Sequence, residues 1–127
     1  MAGRMTLYFD GGARPNPGRM EIAVVTGGVV HLRDDIGEGD NCTAEWLALR
    51  FAVDVALAAG AVDVLLIGDS LTVVEQASGR WRCRNPQLQP HCAAYRAAVA
   101  AIPRVTVRHV GRSKNLAGIA LARRHPR

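Results

Sequence analysis

Three acidic residues interrupt otherwise apolar stretches of the chain. Asp10 follows the run Met5 to Phe9, Asp69 follows Val62 to Ile67 and Gly68, and Glu45 falls in the first turn of a long apolar segment. A carboxylate at the end of a buried strand or in a buried helical turn is costly unless something compensates it, and three such positions point to one shared metal site. No Asp or Glu occurs after Glu75 as far as Arg127, so a fourth carboxylate near the C-terminus is excluded.

The elements that must position these acids follow from periodicity and turn chemistry. Met5 to Phe9 reads as a short strand ending at Asp10. Gly11, Gly12 and the Pro15-Asn16-Pro17-Gly18 stretch read as a loop that cannot continue it. Met20 to Thr26 and Val29 to Arg33 complete an antiparallel meander of three strands around Gly27 and Gly28. Asp40, Asn41 and Thr43 are all competent caps for a helix over Ala44 to Ala59, apolar on most of its circumference and ended by Gly60. Val62 to Ile67, an almost unbroken apolar run, predicts a parallel strand covered on both faces. Helices follow over Leu71 to Ala77, Pro90 to Ile102 and Ser113 to Arg124, the last capped by Ser113 or Asn115, with a fifth strand at Val105 to Val110. The expected fold class is α/β, a mixed five-stranded sheet with helices on both faces.

Bulk properties narrow the function. At 127 residues and 49% hydrophobic content, residues 1–127 are expected to form one domain. Such a chain buries roughly two thirds of its unfolded surface. Cys42, Cys83 and Cys92 include no C-x-x-C pair and are odd in number, which fits reduced thiols in a cytoplasmic setting and disfavours a disulfide framework or structural zinc. No apolar run approaches the ~20 residues of a membrane span, and Met1 to Arg4 show no signal-peptide pattern, so no membrane partner is expected. The net charge of +5 hides a division: residues 1–75 hold all 11 acids and 5 arginines, and residues 76–127 hold 11 cations and no acid. A basic half beside an acidic cluster suits a polyanion gripped by its phosphates while divalent ions act on one of them.

In their order and spacing the motifs resemble type 1 ribonucleases H of the single-domain prokaryotic kind. The matching residues are Tyr8-Phe9-Asp10-Gly11-Gly12 with Asn16-Pro17-Gly18, Asn41-Cys42-Thr43-Ala44-Glu45 with Leu49, and Gly68-Asp69-Ser70. Further matches are Trp81-Arg82 with Asn85-Pro86 and Leu88, then His109-Val110-Gly111-Arg112 with Asn115 and Leu121-Ala122. The resemblance implies a ribonuclease H-like sheet in strand order 3-2-1-4-5. It also implies metal-dependent endonucleolytic cleavage of the RNA strand of RNA/DNA hybrids, leaving 5′-phosphate and 3′-hydroxyl ends. No separate hybrid-binding domain is expected before Met5, and the connection from Gly79 to Gln89 is too short for the basic protruding helix of some relatives. Grip on the substrate is therefore expected from the domain itself, acting as a monomer.

Asp10, Glu45 and Asp69 are expected to converge at one sheet edge, where their hard oxygen atoms favour Mg²⁺ or Mn²⁺ over zinc. The resemblance implies two ions in the substrate complex. Its fourth acid normally lies four residues after an Asn in the last helix, and that register puts Ile119 at the acid's place here. Asn115, one helical turn earlier, is the nearest oxygen donor and reads either as a metal ligand or as a helix cap. His109 matches a loop histidine that assists proton transfer or product departure.

Substrate contacts are implied at Gly11, Gly12 and Ala13, where small residues let backbone approach the 2′-hydroxyl groups of RNA, and at Asn16 and Asn41 along the minor groove. Trp81 with Arg80, Arg82 and Arg84 is expected to form the groove for the DNA strand, with the indole on sugar and the guanidinium groups on phosphate. Trp46, Phe51 and Tyr95 read as core. Double-stranded RNA is a further possible partner. A non-catalytic hybrid or double-stranded RNA binding module that has lost the fourth ligand is the alternative reading, and a transposase-like or resolvase-like nuclease a more distant one.

Overall fold

The computed structural model describes residues 3–125; the chain start at Met1 and the last cation, Arg127, lie outside the described residues. Strand β1 (Met5–Arg14) pairs antiparallel with β2 (Gly18–Thr26), which pairs antiparallel with β3 (Val29–Arg33) and with the two-residue β4 (Glu38–Gly39). Helix α1 (Asn41–Ala58) leads to β5 (Asp63–Gly68), parallel to β1. Helices α2 (Leu71–Ala77) and α3 (Gln89–Val99) precede β6 (Arg104–His109), parallel to β5. A 3₁₀ turn (Arg112–Lys114) and α4 (Leu116–Arg123) close the described chain. The sheet order is β3-β2-β1-β5-β6. With β4 set aside, this is the order 3-2-1-4-5 that the resemblance implies.

The pleat divides β1 between two cores. Leu7 and Phe9 face α1 with Ile22, Val24, Val64 and Leu66, and this larger core takes in Trp46, Leu49 and Tyr95. Tyr8 packs on the opposite face, where Ala23 and Val25 meet Ala117 and Leu121 of α4. Trp46, Phe51 and Tyr95 are core residues as expected, and the Trp46 and Tyr95 rings meet edge on. Every residue from Val64 to Ile67 is buried, as expected of a central strand flanked by β1 and β6.

Three sequence expectations are corrected. Strand β1 does not stop at Asp10: Gly11, Gly12 and Ala13 pair with Ile22, Glu21 and Met20. Gly11 is a strand residue pressed on α1, where a Cβ would collide with the Ala44 carbonyl, so its small size serves close packing and not a turn. Helix α1 starts three residues early, capped by Asp40, whose carboxylate accepts from the Thr43 N–H at 2.8 Å. The final helix begins only at Leu116, because Asn115 adopts an extended backbone (φ −87°, ψ 106°) and separates the 3₁₀ turn from α4. Among the described residues no helix is long and apolar enough to cross a membrane.

Candidate active site

Strands β1 and β5 run parallel, so their carboxyl ends point the same way. Asp10 sits in β1 at that level and Asp69 immediately follows β5. Glu45, on the first turns of α1, comes down on Gly11, whose N–H donates to its Oε1 at 2.8 Å. One carboxylate oxygen from each of Asp10, Glu45 and Asp69 lies within 4.8 Å of the others. The convergence expected from the sequence is present.

The electrostatics of this trio follow from burial and mutual repulsion. Burial, then the nearness and charge of Asp10, push the Glu45 carboxyl up to about 10. Burial also raises Asp10, opposed by the close Glu45 carboxyl, helped by the Asp69 charge and opposed again by the nearby Arg112 guanidinium. Without a cation between them, the two carboxyl groups therefore resist being charged together. Glu45 Oε2 is buried with no hydrogen-bond partner. An orphaned buried oxygen among converging carboxylates is the chemistry that a hard divalent cation satisfies, so the donor set fits such an ion.

Asn115 is fully buried, and its amide is used at both ends. Its Nδ2 donates to the Phe9 carbonyl at 3.0 Å and to Asp69 Oδ2 at 3.0 Å, while its Oδ1 accepts from the Ala117 N–H at 3.1 Å. Turned over, the oxygen would face two acceptors and the NH₂ group would face a donor, so this orientation is fixed. Of the two readings left open by the sequence, the geometry contains the cap: Oδ1 accepts from α4, and the nitrogen orients Asp69.

In α4, Gly118 faces the acids: an added Cβ would stand 3.4 Å from Oδ2 of both Asp10 and Asp69. Ile119 lines the same cleft beside it. No acid replaces the missing side chain within the cluster, which among the described residues holds the three carboxylates named above. The His109 ring lies at the cleft's margin, exposed, with Nε2 3.2 Å from the Asp69 carbonyl. A carbonyl can only accept, so Nε2 carries the proton and Nδ1 is left free.

Gly11, Gly12, Ala13 and Asn41 line the cleft. The Ala13 N–H donates to Asn41 Oδ1 at 2.9 Å, and the Asn41 N–H to Asn16 Oδ1 at 3.1 Å. These bonds tie the first hairpin to the start of α1 and leave both side-chain NH₂ groups available to a ligand. Arg80, Trp81, Arg82 and Arg84 gather in a second, separate pocket, joined by Arg96 from α3. Arg80 is already engaged there, with Nε 2.7 Å and Nη2 3.1 Å from the Glu75 carboxylate.

Arg112 in the acidic cleft and Arg96 in the basic pocket were missed as site residues. Arg112 stood within a matching motif and could have been singled out; nothing in the local sequence separates Arg96 from any other helix-surface arginine.

Comparison with known proteins agrees with this geometry. A family described as reverse transcriptase-like matches residues 24–125. Ribonuclease HI of Halobacterium salinarum is 35% identical over 125 residues, covering 94% of this chain and 63% of that protein. The chain thus spans under two thirds of that relative, and 32% of the bifunctional protein Rv2228c of Mycobacterium tuberculosis, to which it is 30% identical over 118 residues and 88% of its own length. Among solved structures, RNase H1 from Halobacterium salinarum superposes with a TM-score of 0.84 at 35% identity over 94% of each chain. The N-terminal RNase H domain of Rv2228c gives 0.81 at 30% identity, over 94% of this chain and 95% of that one. LC11-RNase H1, a metagenomic protein isolated from compost, is solved in complex with an RNA/DNA hybrid; it gives 0.77 at 32% identity over 88% of each chain. With the sheet order, the three converging carboxylates and these relatives in agreement, the chain belongs to the type 1 ribonuclease H family.

Proposed function

We propose that this protein is an endoribonuclease that hydrolyses the RNA strand of RNA/DNA hybrids, leaving 5′-phosphate and 3′-hydroxyl ends, with Mg²⁺ or Mn²⁺ held by Asp10, Glu45 and Asp69. The observation that carries the reading is the approach of these three carboxylates to within 4.8 Å of one another around the orphaned Glu45 oxygen. Divalent cations bound there supply Lewis-acid charge at the scissile phosphate and a more acidic attacking water. The rest falls to the chain's own groups. The Gly11 N–H and Asn115 Nδ2 hold Glu45 and Asp69 in place. Arg112, close enough to act on Asp10, offers a cation to the substrate's phosphate. His109, with Nδ1 free, is placed to take or give a proton as product departs. The backbone at Gly11 to Ala13 and the amides of Asn16 and Asn41 face the minor groove, and Trp81, Arg82 and Arg84 take the DNA strand.

Charge balance sets the metal stoichiometry. Three carboxylates and one scissile phosphate match two divalent ions, so the second ion is expected to enter with the hybrid. Calorimetry on the free protein should find at most one tight Mg²⁺ site; two would refute this.

Labelled RNA/DNA hybrid, double-stranded RNA and duplex DNA, each incubated with Mg²⁺ and then Mn²⁺, test the whole reading. Cleavage confined to the RNA of the hybrid supports it, and cleavage of double-stranded RNA widens the substrate class. Ile119 at the fourth acid's place favours one competitor, a module that binds hybrid without cutting it. Retention of hybrid with no product in either metal would establish that competitor.

A further inference from the structure

The basic pocket contains a chemical feature that phosphate binding does not use. Cys83, in the segment between α2 and α3, and Cys92, on the first turn of α3, both line this pocket together with Arg82 and Arg84. Cys92 belongs to the main core and Cys83 packs against that core, so the two meet where the loop is laid on the helix. Both side chains thus open on one pocket from the two sides of the loop–helix contact, and after burial the nearness of Cys83 is among the influences that raise the Cys92 thiol. The loop is tied down on either side of this contact. Gln76 Nε2 donates to the Arg82 carbonyl at 3.3 Å, and Gln89 Nε2 to the Cys83 carbonyl at 3.2 Å.

We propose that Cys83 and Cys92 are a reversible dithiol site in the wall of the nucleic-acid pocket, closing to a disulfide with a peroxide and weakening hybrid binding when closed. The proposal rests on the functional reading above, because the pocket's ligand is taken to be the hybrid. The two sulfur atoms are not equivalent. Cys92 is 3% exposed, and burial raises its thiol, whereas Cys83 is less buried and flanked in sequence by the cations Arg82 and Arg84. Cys83 is therefore the attacking group. Its thiolate takes one peroxide oxygen as the O–O bond breaks, giving a sulfenic acid and one water. The Cys92 sulfur then displaces the sulfenic oxygen as a second water and forms the S–S bond. Two thiols lose two electrons and two protons, and the peroxide accepts both. Closure draws Cys83 toward α3 and turns the adjoining Arg82 and Arg84 away from a phosphate track that depends on their aim. A thiol reductant restores the open pocket.

The test treats the purified protein with hydrogen peroxide and reads three quantities: intact mass, disulfide mapping, and the Kd for a labelled RNA/DNA hybrid in EDTA. The expected result is a loss of about 2 Da from one Cys83–Cys92 bond. Hybrid Kd should rise at least ~3-fold and return after dithiothreitol. Cys83→Ser should abolish both responses, and Cys92→Ala should do the same, which guards against one substitution misfolding. Cys42→Ser should retain both, since Cys42 lies in the other cleft. Three free thiols after peroxide, a bond mapped to Cys42, or an unchanged Kd once the bond has formed would each overturn the proposal. Absence of hybrid binding by the reduced protein would sink the functional reading instead, while the mass and mapping still decide whether the thiol pair closes.

Discussion

Glu45 and Asn115 are the residues whose roles the geometry sharpens most. The Glu45 carboxyl is raised to about 10 by burial beside Asp10, against an ordinary value of 4.5. For a carboxyl raised on folding, the unfolded chain releases its proton first. The favourable contribution of protonated Glu45 is thus complete below about pH 4.5 and is lost progressively as pH rises toward 10. The metal-free protein should therefore weaken between pH 5 and 9, and a divalent cation should offset the loss. Glu45→Gln should stabilise the metal-free protein at pH 8 to 9 by about 1–2 kcal/mol in urea unfolding, have little effect near pH 4, and abolish cleavage. A pH-independent effect would remove Glu45 as the cause. Asn115 gives a test between cap and ligand. Asn115→Ala removes a cap and strips the buried Phe9 carbonyl of its donor, for a loss of about 2 kcal/mol. Asn115→Asp keeps the cap but sets a carboxylate against Asp69, so it should weaken folding without improving Mg²⁺ affinity; tighter Mg²⁺ binding would return Asn115 to the ligand set. Ile119→Asp, which puts an acid into the cleft, should tighten Mg²⁺ binding in the same calorimetric titration.

At the level of elements, what the sequence made legible was whatever depends on local pattern. Apolar runs gave β2, β3, β5 and β6 to within one or two residues, and α2 matched at both ends. The errors lie where a distant element overrides local signals. Gly11 and Gly12 read as turn residues because nothing nearby in sequence shows that α1 will lie against β1. Asn115 splits the last helix because its side chain is held by Phe9 and Asp69, 106 and 46 residues away in the chain. The three carboxylates were legible because each follows an apolar run or falls in the first turns of an apolar helix, and the parallel pairing of β1 with β5 up to Tyr8 and Ile67 brings Asp10 and Asp69 to the same level of the sheet. Their hydrogen-bond partners were not, since these depend on rotamers set by packing. The same reasoning makes Gly11→Ala a test of the β1–α1 contact. A methyl group there meets backbone and not a yielding side chain, so a loss of about 2 kcal/mol or more is expected in thermal unfolding, together with lower cleavage as the displaced strand draws its N–H away from Glu45.

Across the whole molecule, the division of charge along the chain becomes a division of labour on the surface. Some cations of the second half are consumed in joining the halves: Arg124 bonds Glu21 at 3.2 Å and Asp34 at 2.7 Å, and Arg104 lies 3.7 Å from Asp63. Arg80 is likewise paired with Glu75. Among the described residues Arg82, Arg84 and Arg96 make no salt bridge, and all three line the pocket beside Trp81. Unpaired guanidinium groups on a phosphate track displace counterions from the nucleic acid, so hybrid affinity should fall steeply with salt. Arg82→Ala and Arg84→Ala should each flatten the slope of log Kd against log salt by roughly one unit. Arg80→Ala should flatten it less, because its charge is already balanced by Glu75 before substrate arrives. Fluorescence anisotropy with the same hybrid between low and physiological salt measures all three slopes. Equal effects at positions 80, 82 and 84 would mean that Arg80 leaves Glu75 to reach a phosphate, and no effect at any of them would move the DNA strand to another face of the protein.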